Sequence, residues 1–212
     1  LGNFAGSGAT YTFDVTPTAD GAVTVDIAAS VAQDASGNLS NVATQFSITS
    51  DHTAPTASVG YSTTDPTNGN VVATLTNESE SITVTSEGGS THTFTSNGTF
   101  TFTFEDSAGN PGSVVATVAN IDTDVPATPT VTLLGPINAG NETVVTITGT
   151  GEANATLAYT ITDSGTGSVT GTGSVSGAGA ISVSNIDVSS LTDGTLTLSV
   201  ILTDAAENDS AA

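Results

Sequence analysis

Three short segments carry the residues best suited to chemistry. DASGN at 34–38, DSAGN at 106–110 and DAAEN at 204–208 each set a carboxylate four positions ahead of an amide. Alternating apolar runs follow the first two and end in acidic segments closed by proline, DHTAP at 51–55 and DTDVP at 122–126. With 21 Asp and Glu, no Lys or Arg, and only His52 and His92 as potential cations, the chain can form no ordinary salt bridge. Carboxylates brought together here must repel, take up protons or share a metal ion. Hard oxygen donors of this kind suit calcium, which takes about six to eight of them, rather than zinc. The same Asp and Asn residues also favour tight turns without any ligand, and that reading accounts for each loop singly.

The charge balance excludes other chemistry. Nucleic acids and anionic membrane surfaces are bound through Lys and Arg, of which there are none. The apolar runs are only a few residues long, so direct membrane insertion is not expected. Ser is plentiful, but neither histidine sits in a nucleophile-elbow or zinc-ligand spacing, and there is no Cys to serve as nucleophile or disulfide. The sequence therefore predicts a protein that is not an enzyme.

Abundant Thr, Ser and Val with 23 Gly and no Met or Trp read as all-β. The recurrent loop and linker read as internal repeats. Three modules are expected: residues 1–50, the C-terminal part of a domain whose earlier strands precede Leu1; residues 51–122; and residues 123–212, a domain lacking its final strand. Strands are predicted at 11–15, 22–28 and 42–49 in the first, and at 57–61, 71–76, 81–85, 91–95, 99–104 and 113–121 in the second. The third is given strands at 131–134, 143–148, 156–162, 168–174, 180–188 and 195–203. Asn97-Gly98 predicts a tight hairpin. Phe100, Phe102 and Phe104 share a strand face and predict core. The Gly-rich run at 165–180 predicts two short edge strands, and no helix follows to support a nucleotide loop.

Strands of this number and spacing predict tandem immunoglobulin-like β-sandwiches joined end to end by short acidic linkers. In such a sandwich the loop between the second and third strands, the loop between the last two strands and the incoming linker share one pole. Glu78 and Glu80, Asp106 and Asp51 would meet at one junction. Glu152, Asp204 and the linker's Asp122 and Asp124 would meet at the other, with backbone carbonyls and the Asn110 and Asn208 side chains available to complete a shell.

DASGN, DSAGN, the DHTAP linker, VTPTADGAVTVDIA at 15–28 and TGTGEANATL at 148–157 resemble the bacterial immunoglobulin-like repeats of large secreted surface adhesins, over nearly the whole chain. The resemblance implies an extracellular, cell-surface extender segment whose interdomain Ca2+ ions stiffen it. Its partners would be neighbouring repeats of the same longer chain. Its implied ligands are Asp51, Glu78 and Asp106 at one junction and Asp122, Asp124, Glu152 and Asp204 at the other. Asp34 and Asn38 match too, but their linker would precede Leu1, so that site is expected to be incomplete. Glu207 stands where the other two loops have Gly, which leaves the turn of that loop and the role of Asn208 open. A rival reading is a subunit of a surface layer, sheath or filament, contacting other copies laterally or by strand donation. Carbohydrate or ice binding is a third, carried only by outward Thr residues.

Overall fold

The computed structural model describes residues 2–8 and 10–212. Its strands are β1 (Gly2–Ser7), β2 (Thr10–Asp14), β3 (Gly21–Val25), β4 (Phe46–Ser50), β5 (Ser58–Tyr61), β6 (Val71–Thr76), β7 (Thr83–Val84), β8 (Thr91–Phe94), β9 (Gly98–Glu105), β10 (Pro111–Val118), β11 (Thr130–Leu133), β12 (Val145–Thr150), β13 (Thr156–Thr162), β14 (Ser168–Ser174), β15 (Ala180–Ile186) and β16 (Thr197–Thr203). The protein is all-β, and no helix among the described residues is long and apolar enough to cross a membrane. The chain divides into two compact units, Leu1–Gly60 with Thr74–His92 and Phe100–Ala116, and Tyr61–Ala73 with Thr93–Thr99 and Thr117–Ala212.

In the second unit, β11, β12 and β15 make one sheet in the order β11-β12-β15, and a second runs β14-β13-β16. The alternation of the sequence explains the sandwich. Leu157 and Ile161 of β13, Val200 and Leu202 of β16, Val145 and Ile147 of β12 and Ile181 and Ile186 of β15 are buried in one core. Each such side chain contributes about 1.5–3 kcal/mol on leaving water. Thr156 pairs with Ser174 on one side and Thr203 on the other, so hydroxyls line the opposite face. The Gly-rich run supplies β14 and leads into β15, both edge strands of their sheets as expected. Gly171 leaves room for Tyr159, whose hydroxyl would lie 2.3 Å from any added Cβ.

Strands β5 to β10 form a second pair of three-stranded sheets, ordered β5-β6-β8 and β10-β9-β7. Their first, second and fourth strands make one sheet and their third, fifth and sixth the other, an immunoglobulin-like arrangement. Phe102 and Phe104 are buried. Phe100 is half-buried, stacks on His92 at 3.8 Å and meets Phe102 edge-on. The expected Asn97-Gly98 hairpin does not form, because β8 and β9 belong to different sheets. Asn97 spends its amide elsewhere: Nδ2 donates to the Ile121 carbonyl at 2.7 Å, and Oδ1 accepts from the Ile121 N–H at 2.9 Å. A side chain thus imitates one rung of a strand ladder and outcompetes the turn.

In the first unit, β1 pairs with β2 and β3 with β4, both antiparallel. Strand β1 was not foreseen, since GNFAGS lacks alternation. Phe4, Tyr11, Phe46 and Ile48 are all more than half exposed. The linker's Pro55 is buried and crosses Gly112 closely: a Cβ there would lie 2.4 Å from the Phe104 ring and 2.5 Å from the Pro55 carbonyl. Gly112→Ala is therefore expected to lower stability by about 1–3 kcal/mol, the cost of overpacking, as read by thermal unfolding.

Candidate metal centre

The three Asp-to-Asn loops share one construction. Asp106 Oδ1 accepts the N–H of Ala108 at 2.8 Å and of Asn110 at 2.9 Å, while Asn110 Nδ2 donates to Asp106 Oδ2 at 2.8 Å. Asp34 holds Ser36 and Asn38 with the same distances, and Asp204 holds Ala206 and Asn208 almost identically. The turn requires a left-handed residue before the Asn, supplied by Gly37 and Gly109 at φ 82° and 89°. At 204–208 Glu207 adopts it at φ 69°, so that loop turns as the others do despite its side chain.

The loops also grip the linkers. Asn110 Nδ2 donates to the Asp51 carbonyl at 3.2 Å, and Asn208 Nδ2 to the Asp122 carbonyl at 3.0 Å. Each linker is pre-shaped by its own Asp: Asp51 Oδ1 accepts from Thr53 N and Asp122 Oδ1 from Asp124 N, both at 3.0 Å. Asn110 and Asn208 are thus donors to carbonyls.

Among the described residues, one set of carboxylates converges: Asp51, Glu80 and Asp106, each offering an oxygen within 4.8 Å of the others. Asp106 is buried, Asp51 half-buried and Glu80 exposed. Burial pushes the Asp106 carboxyl up, but the Asn110 side chain and the N–H groups of 108–110 outweigh it and hold the group below its ordinary value. Glu80 is pushed up, by desolvation first and then by the negative charges of Asp106 and Asp51. Glu78 is not in this set, and Asp122, Asp124, Glu152 and Asp204 form no set of their own. Counted from the first residues of β6 and β12, Glu152 stands where Glu78 does, and Asn154 stands where Glu80 does. The glutamate in the converging set is Glu80, and the residue at its position after β12 is not acidic.

No family model matches the chain, and no curated protein does. Solved structures do. A tetra-tandem repeat in the extending region of a large adhesion protein is 25% identical with a TM-score of 0.41, over 95% of this chain and 57% of that one. A Ca2+-stabilized adhesin that helps an Antarctic bacterium reach out and bind ice is 22% identical with a TM-score of 0.41, over 89% of this chain and 54% of that one. The likeness is to adhesins. The chain spans little more than half the length of either.

The donor set at Asp51, Glu80 and Asp106 fits a hard divalent cation. All three offer carboxylate oxygen. Asp106 Oδ2 takes one hydrogen bond and keeps a lone pair, and Asp51 Oδ1 takes the Thr53 N–H, leaving Oδ2 to a ligand. His52 lies at the same linker but builds no catalytic relay. Ser50 Oγ, at 3.3 Å, and Asp20 Oδ1, at 3.5 Å, both approach Nδ1, whereas a relay needs opposite ring nitrogens. Asp20 acts instead on the linker, accepting from His52 N at 2.6 Å and from the Thr53 hydroxyl.

Because Glu207 occupies a left-handed conformation that costs a side-chain-bearing residue about 1–2 kcal/mol, Glu207→Gly is expected to stabilise the 204–208 loop by about 1 kcal/mol. A thermal melt with raised midpoint is the expected reading.

Proposed function

We propose that the chain is a non-enzymatic extracellular structural segment, a stalk of immunoglobulin-like repeats in a large bacterial surface adhesin, and that calcium stiffens it. The observation that carries this reading is the convergence of Asp51, Glu80 and Asp106 at a linker in a chain without Lys or Arg. These three residues would hold the ion, with backbone carbonyls and water filling the remaining positions. The ion would supply the positive charge that the polypeptide lacks.

Extracellular calcium modules work at dissociation constants of about 10⁻⁴–10⁻³ M, so the ion would load outside the cell and not within it. Before export the linker would be held by hydrogen bonds and packing, among them those of Asp20 and Asn110; afterwards three mutually repelling carboxylates would be tied together. Small-angle scattering of the intact chain tests this. Calcium should increase the maximum dimension and narrow its distribution, and chelator should reverse both. An unchanged profile overturns the reading.

A second reading, association with other copies in a surface assembly, is favoured by the exposed Phe4, Tyr11, Phe46 and Ile48. Sedimentation across a concentration series separates it from a monomeric stalk.

A further inference from the structure

The carboxylates beside Asp122 do not fit the ion that the resemblance implies there. Asp204 and Asp122 spend their oxygens on hydrogen bonds in the same way as Asp106 and Asp51 do; what this junction lacks is the third carboxylate. Neither they nor Glu152 and Asp124 gather into a three-carboxylate group, and the position that Glu80 fills in the other module is the neutral Asn154.

Amides take over the same place. Asn68, in the 62–70 loop, donates its backbone N–H to the Ala206 carbonyl and Nδ2 to the Glu207 carbonyl, both at 3.0 Å. Thr67 N donates to the Asn120 carbonyl at 3.0 Å and the Thr67 carbonyl accepts from Asp122 N at 2.9 Å, a parallel bridge that includes Ile121. Asn97 pairs with both polar atoms of the Ile121 peptide, Asn120 Nδ2 donates to the Asp65 carbonyl at 2.7 Å, and the buried Asn208 donates to the Asp122 carbonyl. Three Asn side chains, Asn68, Asn120 and Asn208, thus tie the 62–70 loop, the linker and the 204–208 loop together, a fourth, Asn97, holds Ile121 from the 95–97 turn, and none of these bonds needs an ion.

We infer that the two junctions are chemically different: the one at Asp51 is a metal-dependent joint, while the one at Asp122 is an amide-locked joint that stays formed without divalent ions, with Asn68 as its positioning residue. The first half rests on the function proposed above; the second does not. A calcium-responsive joint next to a permanently set one would confine the chain's calcium-dependent bending to residues near Asp51.

Hydrogen exchange of the whole chain, in calcium and in chelator, tests it joint by joint. At the Asp122 joint the reporters are the amides of Asn68, Ile121 and Asp122; at the Asp51 joint they are those of Thr53, Ala108 and Asn110. Chelator should leave the first group protected and speed exchange in the second. Asn68→Ala, and Asn68→Asp, which keeps the shape but loses both Nδ2 donors, should speed exchange at Ile121 and Asp122 by roughly tenfold in either buffer, the loss of an ordinary hydrogen bond and the ordering it brings. Neither variant should change the calcium response at the Asp51 joint. Chelator-induced loss of protection at Ile121 and Asp122, or indifference of these amides to both Asn68 variants, overturns the inference. Calcium-indifference at Thr53, Ala108 and Asn110 alone overturns the proposed function and leaves the amide-locked joint standing.

Discussion

Replacing Glu80 by Gln is expected to move stability in opposite directions with and without calcium. In chelator the variant should melt a few degrees above the unaltered protein, about 2–4 °C for a chain of this size. In calcium it should melt below it, with affinity weakened at least about tenfold, the loss that even supporting partners of metal ligands produce. The cause is the position of Glu80 beside Asp51 and Asp106. Without an ion the third negative charge repels the other two and gains nothing, so its removal helps. With an ion it would be one of the three acidic ligands proposed, so its removal would cost.

The pH dependence gives an independent check on the sign. Glu80 has its folded value raised above the ordinary 4.5, so in chelator the native state binds the proton more tightly than the unfolded chain does. Stability from this group is present below about 4.5 and is lost as pH rises through the raised folded value. The calcium-free protein should therefore lose stability across that window, and Glu80→Gln should flatten the loss. Differential scanning calorimetry at several pH values, with and without calcium, reads both effects. A variant that is equally destabilised in both buffers would show Glu80 to be an ordinary packing residue.

Much of this was legible in the chain. Strand β13 at 156–162 and strand β6 at 71–76 have the bounds that alternation predicts, because apolar residues at every second position have only one way to face a core. The loops at 34–38, 106–110 and 204–208 were found by type and spacing, since the backbone turn depends on the Asp and Asn within it. What spacing could not show is which partner each polar side chain finds. Asn97 carries the strongest local turn signal in the sequence and uses its amide on Ile121, 24 residues away. Glu78 and Glu80 both lie in the loop after β6, where Asn77 is left-handed at φ 52°, and only Glu80 is in the set with Asp51 and Asp106; two acidic residues this close in sequence cannot be told apart by type and spacing. The Asn68 contacts join residues 139 positions apart, and no local pattern announces them. The reading of these Asp and Asn residues as simple turn formers also proves right as far as it goes: their hydrogen bonds build the turns, and the Asp106 carboxylate does so while remaining able to take a ligand.

That double duty makes Asp106→Ala the most damaging single change expected at the site. Asp106 is only 4% exposed, and loss of its carboxylate leaves the N–H groups of Ala108 and Asn110 and the Asn110 amide without their acceptor. Asn110 would then be free to rotate away from the Asp51 carbonyl, so the linker loosens together with the loop. The expected cost at neutral pH is a drop in melting temperature of roughly 5–10 °C for the loss of several partly buried hydrogen bonds, together with loss of the calcium response. Asp106→Asn should fall between, because its carbonyl can still accept from the two N–H groups while its NH2 faces that of Asn110. Acid distinguishes these losses. The folded value of Asp106 lies below the ordinary 3.8, so its contribution is fully present above that value and is lost as pH falls through the depressed one. The gap between the unaltered protein and Asp106→Ala should accordingly be constant from neutral pH down to about 4 and close below it. A gap that persists undiminished into strong acid would mean that the side chain acts through its bulk, and the loop would then owe its shape to Gly109 alone.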